Sequence, residues 1–110
     1  MFILIPMVGD LFHYGHINLM KNVKKKYSNC KIIIGLHTNE SVKKYKREPI
    51  LNYNERYNII ESCKYVDRII SFDCDIIINN NYLIENNIDL IVHAHDDTLE
   101  ENEKYKQLYI

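Results

Sequence analysis

Four apolar runs of strand length recur along this chain, separated by segments whose apolar residues follow helical spacing. The runs read FILIPMV, KIIIGLH, DRIISF and DLIVHAH. Continuous apolar runs of this length are typical of parallel strands that are covered on both faces. Parallel strands need long crossover connections, and the helical segments supply them. The pattern therefore predicts the α/β class, a parallel sheet with helices on both faces.

Helix boundaries follow from spacing and from capping residues. A first amphipathic helix is predicted from His16 onward. Asn52, followed three residues later by Glu55, predicts a capping box that starts a second helix over 53–66. The basic segment 39–51 is expected to be irregular, because its proline blocks a long helix. The first helix has an apolar stripe and four lysines largely off it (Ile17, Met20, Val23 and Tyr27; Lys21, Lys24, Lys25 and Lys26).

The remaining chain completes a β-α-β-α-β-α-β-α order. Segment 74–87 is expected to be helical toward its end, and 97–110 is expected to be helical throughout. The 110 residues suffice for one core. We therefore predict a single Rossmann-like, three-layer α/β/α domain covering 1–110.

Charge and cysteine content narrow the classes of partner. The 14 Lys+Arg against 15 Asp+Glu give no basic footprint for nucleic acid or for a membrane surface. Cys30, Cys63 and Cys74 are widely spaced and odd in number, which favours reduced thiols in the cytoplasm over a disulfide framework. The N-terminal apolar run is too short for a signal sequence. No stretch approaches the roughly 20 apolar residues that a membrane span requires.

The segment GDLFHYGH follows the first strand, where parallel α/β sheets bind ligands beyond the carboxyl ends of their strands. Gly15 would allow close backbone approach to a ligand. His16 would lie in the first helical turn with His13 just outside it, where backbone N–H groups and the helix dipole favour an anion. Two imidazoles there could donate hydrogen bonds to phosphate oxygens. The alternative is an ordinary capped helix with incidental histidines.

A metal site is a second alternative. His93 and His95 alternate onto one face of the fourth strand and could join His13 and His16, with Asp96 and Asp97 completing the set. Well-placed thiols are lacking, and the basic segment 43–47 would be an odd neighbour for a cation. We therefore predict no protein-only metal site.

Three separated blocks resemble one family. GDLFHYGH is similar to the H-x-G-H signature of cytidylyltransferases, within the nucleotidyltransferase superfamily. NERYNIIESCKYVDRII resembles their E-R-Y…Y-V-D-E-V segment, and AHDD at 94–97 resembles the end of their fourth strand. The likeness is closest to choline-phosphate and ethanolamine-phosphate cytidylyltransferases. It implies transfer of CMP from CTP to a phosphorylated amino alcohol, giving a CDP-alcohol and pyrophosphate, with Mg²⁺ carried by the nucleotide.

The resemblance also implies roles for residues, and bland alternatives stay open for several. Lys46 could be a solvated lysine, Arg56 a surface ion pair with Glu55 or Glu61, and Tyr105 an amphipathic helix residue. Asp67 corresponds to a position at the dimer interface and the edge of the site, or simply ends a helix. The implied catalytic residues are His13, His16 and Lys46; the implied nucleotide-binding residues are Val8, Gly9, Asp10, His13, Gly15, His16 and Arg56; the implied substrate-binding residues are Lys46, His95, Asp96 and Tyr105.

The sequence also departs from the family pattern. Met7 stands where the family has a glycine and Gly9 where it has a phenylalanine, so the turn before the histidines is expected to be shaped differently. The family's R-T-x-G-I-S-T signature does not occur, which predicts a domain lacking that C-terminal segment. The alternatives are a catalytically silent nucleotide-binding or dimerisation module and an adenylyltransferase of the same superfamily. The resemblance also implies a homodimer.

Overall fold

The structure is a computed structural model that describes residues 1–45, 47–73 and 78–93, with the side chain of Tyr45 also left undescribed. These residues form four strands and four helices. In chain order the elements are β1 (Phe2–Met7), α1 (Tyr14–Lys26), β2 (Lys31–His37), α2 (Asn39–Tyr45), α3 (Tyr53–Glu61), β3 (Arg68–Phe72), α4 (Asn80–Glu85) and β4 (Leu90–Ile91).

The described strands form one parallel sheet in the order β3-β2-β1-β4. β1 pairs with β2 along its whole length, from Phe2 opposite Lys31 to Met7 opposite Leu36. Its other edge pairs with β4. Strand order therefore reverses at β1, and ligands bind beyond the carboxyl ends of the strands at such a point. GDLFHYGH leaves the sheet at this edge.

Alternate residues of β1 enter two apolar cores on opposite faces of the sheet. The first core contains residues of α1 and α3, whereas residues of α4 pack against the second. Helices thus cover both faces, and the predicted α/β class and three-layer arrangement are confirmed. The first core includes Ile3, Ile5, Met7, Met20, Val23 and Ile60; the second includes Leu4, Ile33, Phe72, Ile88 and Ile91.

The predicted helix starts are more accurate than the predicted helix ends. α3 begins after Asn52, whose Oδ1 accepts from Glu55 N at 2.9 Å, while Glu55 Oε1 accepts from Asn52 N at 3.1 Å. The predicted capping box is confirmed. The helix ends at Glu61 instead of residue 66, because Ser62 N bonds the carbonyl of Ile59 three residues back and tightens the last turn.

The prediction of an irregular 39–51 segment is wrong for its first half. α2 forms there because Ser41 and Val42 are buried against the sheet (0% and 2% exposed), and Thr38 Oγ1 accepts from Ser41 N at 3.1 Å. Pro49 prevents helix formation only in the residues that follow α2. Cys30 is buried and Cys63 half-buried, both as free thiols, whereas Cys74 lies outside the described residues.

Within the described ranges, no helix has the length and the hydropathy that crossing a bilayer demands.

Candidate active site

Helix α1 begins at two histidines that cap each other. His13 is the N-cap, and its Nδ1 accepts a hydrogen bond from Gly15 N at 2.9 Å. His16 occupies the third helical position, and its Nδ1 accepts from His13 N at 3.1 Å. The predicted placement of His16 in the first turn and of His13 just outside is confirmed. The helix is capped, as the structural alternative expects, and the histidines themselves form the cap. Their contact with phosphate stays a prediction.

This reciprocal cap determines the tautomer of both neutral rings. A ring nitrogen that accepts a hydrogen bond carries no hydrogen, so the proton of a neutral imidazole must sit on the other nitrogen. Nδ1 is the acceptor in both His13 and His16. Each ring therefore keeps Nε2–H as its donor. The two ring centroids are 4.3 Å apart, so the two rings lie next to each other at the start of the helix.

The surroundings of His16 favour its neutral form. Phe12 stacks on the His16 ring, with centroids 5.0 Å apart and planes 20° from parallel. Burial, and then the neighbouring His13, lower the pKa of His16 below its ordinary value of 6.5. His16 is thus neutral at pH 7, as its acceptor role in the cap requires.

The His13 ring lies close against Gly15. A Cβ built on Gly15 would lie 2.6 Å from His13 Cε1 and 3.0 Å from His13 Nδ1. Any side chain at this position would therefore displace the ring that caps the helix. The structure shows a close approach of the His13 ring to Gly15, and the predicted approach of a ligand stays a prediction.

The turn between β1 and α1 contains two left-handed residues. Gly9 has φ +65° and Leu11 has φ +55°. A Cβ on Gly9 would approach Ile60 Cδ1 to 2.7 Å, so both the backbone conformation and the packing against α3 require glycine. The departure from the family pattern at this position thus has a local physical cause.

Arg56 is buried beneath this turn. Its side chain is 0% exposed, and Nη1 donates to Val8 O at 2.7 Å. The alternative of a surface ion pair with Glu55 or Glu61 is therefore wrong. The predicted contacts of Val8, Gly9 and Arg56 with a nucleotide remain predictions.

Asp10 reaches across the turn to the segment that precedes α3. Its two carboxylate oxygens accept from Ile50 N at 2.8 Å and Leu51 N at 2.9 Å. Burial opposes ionisation, but these two donors, together with the charges of Arg47 and Arg56, lower the pKa of Asp10. Asp10 is an ionised carboxylate that is occupied by backbone, and its predicted nucleotide contact also remains a prediction.

Several predicted site residues lie outside the described part of the chain, namely Lys46, His95, Asp96 and Tyr105. Asp97 of the alternative metal site does as well. His93, at the carboxyl end of β4, is described and half-buried. Among the described residues, no three histidine, cysteine or acidic side chains converge as metal ligands would. The described residues thus do not form a metal site by themselves. The other proposed ligands, His95, Asp96 and Asp97, lie outside the described residues, so the metal alternative is not tested.

Asp67 does not lie at the edge of the site. It precedes β3 at the amino ends of the strands, where Oδ2 accepts from Ile32 N at 2.7 Å and from Lys24 Nζ at 2.9 Å. Burial opposes ionisation, but these bonds and the charges of Lys24 and Lys31 lower the pKa of Asp67. The predictions that Asp67 lies at the edge of the site or ends a helix are wrong, because α3 ends before it and the histidines lie at the opposite edge. Its place at a dimer interface stays a prediction.

Sequence reasoning missed two features of this edge. His37 ends β2 in the interior, with Nδ1 2.7 Å from Ser41 Oγ, and no local pattern indicates that pair. The histidine cap did have a signal. Histidines at positions i and i+3 have the spacing of an Asn-x-x-Glu capping box, which the sequence also shows at Asn52 and Glu55.

Two curated relatives illustrate what this chain is similar to. It is 31% identical over 86 residues to choline-phosphate cytidylyltransferase 2 of Arabidopsis thaliana, covering 78% of this chain and 28% of that protein. It is 31% identical over 87 residues to ethanolamine-phosphate cytidylyltransferase of Dictyostelium discoideum, covering 79% of this chain and 23% of that protein. The chain thus spans about a quarter of the length of these relatives.

A solved structure agrees with the fold. The lipopolysaccharide core biosynthesis protein from Thermoplasma volcanium GSS1 superimposes with a TM-score of 0.76 at 25% identity, covering 98% of this chain and 85% of that one. The family model described as cytidylyltransferase-like matches residues 9–109, from the turn before the histidines onward. With H-x-G-H at the carboxyl edge of a parallel sheet and this match over nearly its whole length, the chain belongs to the cytidylyltransferase-like family.

Proposed function

We propose that this chain transfers CMP from CTP to a phosphorylated alcohol, with phosphocholine or phosphoethanolamine preferred, giving a CDP-alcohol and pyrophosphate. The names of the relatives support the reaction and the substrate class. One observation of the site carries the proposal. Two imidazoles held by the cap have ring centroids 4.3 Å apart at the point where strand order reverses, and each uses Nδ1 as an acceptor, which leaves Nε2–H as its donor.

The reaction requires alignment and charge neutralisation. An oxygen of the substrate phosphate attacks the α-phosphorus of CTP. The bond between that phosphorus and the bridging oxygen breaks, and pyrophosphate leaves with its electron pair. Because the nucleophile is already anionic, a general base is not needed. The protein must hold both phosphates in line and stabilise the charge that gathers on the leaving oxygens.

His13 and His16 suit that second task. The cap occupies Gly15 N internally, so this amide is not offered to an anion. The two Nε2–H groups take its place as donors, and the positive end of the α1 dipole adds to them. Neutral imidazoles donate without the mutual repulsion of two cations. In this proposal, His13 and His16 donate to triphosphate oxygens in the transition state.

Other parts of the proposal rest on the family. CTP would bind as its Mg²⁺ complex, with the metal held by phosphates as part of the substrate. Lys46 would bind phosphate, with His95 beside the substrate. Asp96 and Tyr105 would hold the ammonium group by charge and by a cation–π contact. The homodimer and the cytoplasmic location likewise remain predictions.

A product assay tests the proposal. The 110-residue chain is incubated with labelled CTP or ATP, Mg²⁺, and phosphocholine, phosphoethanolamine or glycerol 3-phosphate in turn. We expect labelled CDP-choline or CDP-ethanolamine above the CDP-glycerol yield. A preference for ATP would establish the adenylyltransferase alternative. Nucleotide binding without any product would establish the catalytically silent module.

A further inference from the structure

Leu51 is held from both sides by two charged residues that are far apart in sequence. Its N–H donates to Asp10 Oδ1 at 2.9 Å, and its carbonyl accepts from Arg56 Nε at 3.0 Å. The other oxygen of Asp10 accepts from Ile50 N at 2.8 Å. We call Asp10, Leu51 and Arg56 the Leu51 clamp. Asp10 lies three residues before His13, so the clamp joins the histidine turn to the segment leading into α3.

Arg56 also ties the clamp to the sheet. Its Nη1 donates to Val8 O and to His37 O, both at 2.7 Å, which are the carbonyls at the carboxyl ends of β1 and β2. Its Nη2 donates to Asn39 Oδ1 at 2.8 Å at the start of α2. One planar guanidinium therefore fixes two strand ends, one helix start and Leu51 relative to one another.

These contacts conflict with a direct nucleotide role for the two charged groups. The Arg56 side chain is 0% exposed, and a phosphate could reach it only by replacing carbonyl acceptors in the interior. Both oxygens of Asp10 are occupied by backbone N–H groups. Arg56 is therefore not available to the triphosphate without breaking the clamp, and the Asp10 carboxylate has no hydrogen-bond donor to offer an anion.

We infer that Asp10 and Arg56 are positioning residues for the transfer, which hold the histidine turn and the 47–51 segment in one fixed arrangement through Leu51. This inference rests on the proposed function. Arg47, at the start of this segment, is exposed, and its charge helps to lower the pKa of Asp10. Releasing the 47–51 segment would disturb the geometry of the transition state more than the binding of CTP.

Kinetics of Asp10→Asn, Arg56→Lys and the double variant test the inference. We expect each single change to lower kcat by about tenfold or more, since small misplacements are costly in the transition state. The KM for CTP should change by less than about threefold, as for interactions made only in the transition state. The double variant should be about as slow as either single one, because both residues act through Leu51.

Asp67→Asn is the matched control. Asp67 also accepts from a backbone amide, Ile32 N at 2.7 Å, but at the opposite edge of the sheet. It should lower stability without lowering kcat. An equal loss of kcat in Asp67→Asn would mean that the clamp residues affect turnover only through the stability of the fold, and it would overturn the inference. A rise in the KM for CTP confined to Arg56→Lys, at unchanged kcat, would instead make Arg56 a nucleotide ligand.

A second measurement does not depend on activity. Hydrogen exchange at Leu51 N should accelerate in Arg56→Lys as well as in Asp10→Asn, although Arg56 does not bond that amide. Unchanged exchange in Arg56→Lys contradicts the clamp. If the parent chain makes no product, the proposed function fails while exchange still decides the clamp. If Arg56→Lys does not fold, the kcat and KM of Asp10→Asn against Asp67→Asn decide it.

Discussion

Two helices of this molecule begin with capping boxes built from different side chains, although His13 bonds the second helical N–H and Asn52 bonds the third. At α3, Asn52 and Glu55 exchange bonds with each other's backbone N–H at 2.9 and 3.1 Å. At α1, His13 and His16 follow the same i and i+3 spacing, with bonds of 2.9 Å to Gly15 N and 3.1 Å to His13 N. Asparagine and glutamate are favoured at these positions, whereas histidine is not.

The difference teaches why histidines stand at α1. A carboxylate has only acceptor oxygens, so a glutamate cap offers no donor to an approaching anion. An imidazole accepts with Nδ1 and still donates with Nε2–H. The α1 cap thus stabilises the helix and presents donors beyond it, and the α3 cap does only the first. The comparison makes separable predictions about stability and turnover.

The largest expected effect comes from giving α1 the side chains that suit a cap. His13→Asp and His16→Glu retain capping acceptors and carry no hydrogen-bond donor. We expect kcat for CDP-alcohol formation to fall by about 10²–10³ per variant, the usual cost of one lost transition-state donor. The free energy of unfolding should change by less than about 1 kcal/mol, the contribution of a helix cap.

Asn79→Ala is the control for that experiment. Asn79 caps α4, where its Oδ1 accepts from Tyr82 N at 3.0 Å. Its loss should lower the free energy of unfolding by about 1 kcal/mol and leave kcat near the parent value. If the histidine variants keep full turnover, the imidazoles act only as caps and the distinction between the two helix starts disappears.

A smaller effect is expected from Gly15→Ala, which leaves both histidines in place. The new Cβ would lie 2.6 Å from His13 Cε1, so the His13 ring must move. A displacement of this kind should lower kcat by about 10- to 100-fold. The measurement is kcat alongside the NMR signals of the two imidazoles. Unmoved His13 signals with full activity would contradict the packing explanation for this glycine.

The smallest effect is on the pH dependence of stability. The pKa of His16 is lowered in the folded protein, so the unfolded chain binds a proton more readily. The stabilisation is therefore present above pH 6.5 and is lost as pH falls through the lowered folded pKa. We expect a loss of at most about 1 kcal/mol between about pH 8 and 5, measured by denaturant unfolding.

His16→Gln isolates that contribution, since a glutamine does not titrate and the other histidines remain. Asp10 and Asp67 do not interfere, because their lowered pKa values place their own losses below pH 3.8. Parallel pH profiles for parent and variant would show that the His16 cap tolerates protonation.

Local patterns in the sequence determined most of the elements and the histidine site. The run KIIIGLH marks β2 from Lys31 to His37, and the Asn52–Glu55 spacing marks the start of α3. The H-x-G-H segment predicts that His13 and His16 lie at the start of α1. This placement can be predicted because a helix start depends on residues only three positions apart. The predicted α/β class follows from the alternation of these elements.

Only the tertiary structure decided what Arg56, Asp10 and Asp67 do. Arg56 could be read as a surface ion pair, yet its guanidinium lies in the interior on the carbonyl of Val8, 48 residues away. Asp10 bonds amides 40 and 41 residues away, and Asp67 lies at the edge opposite the site. Such partners depend on strand order and register, which bring distant segments together only when the sheet has formed. A spacing of three or four residues carries no information about them.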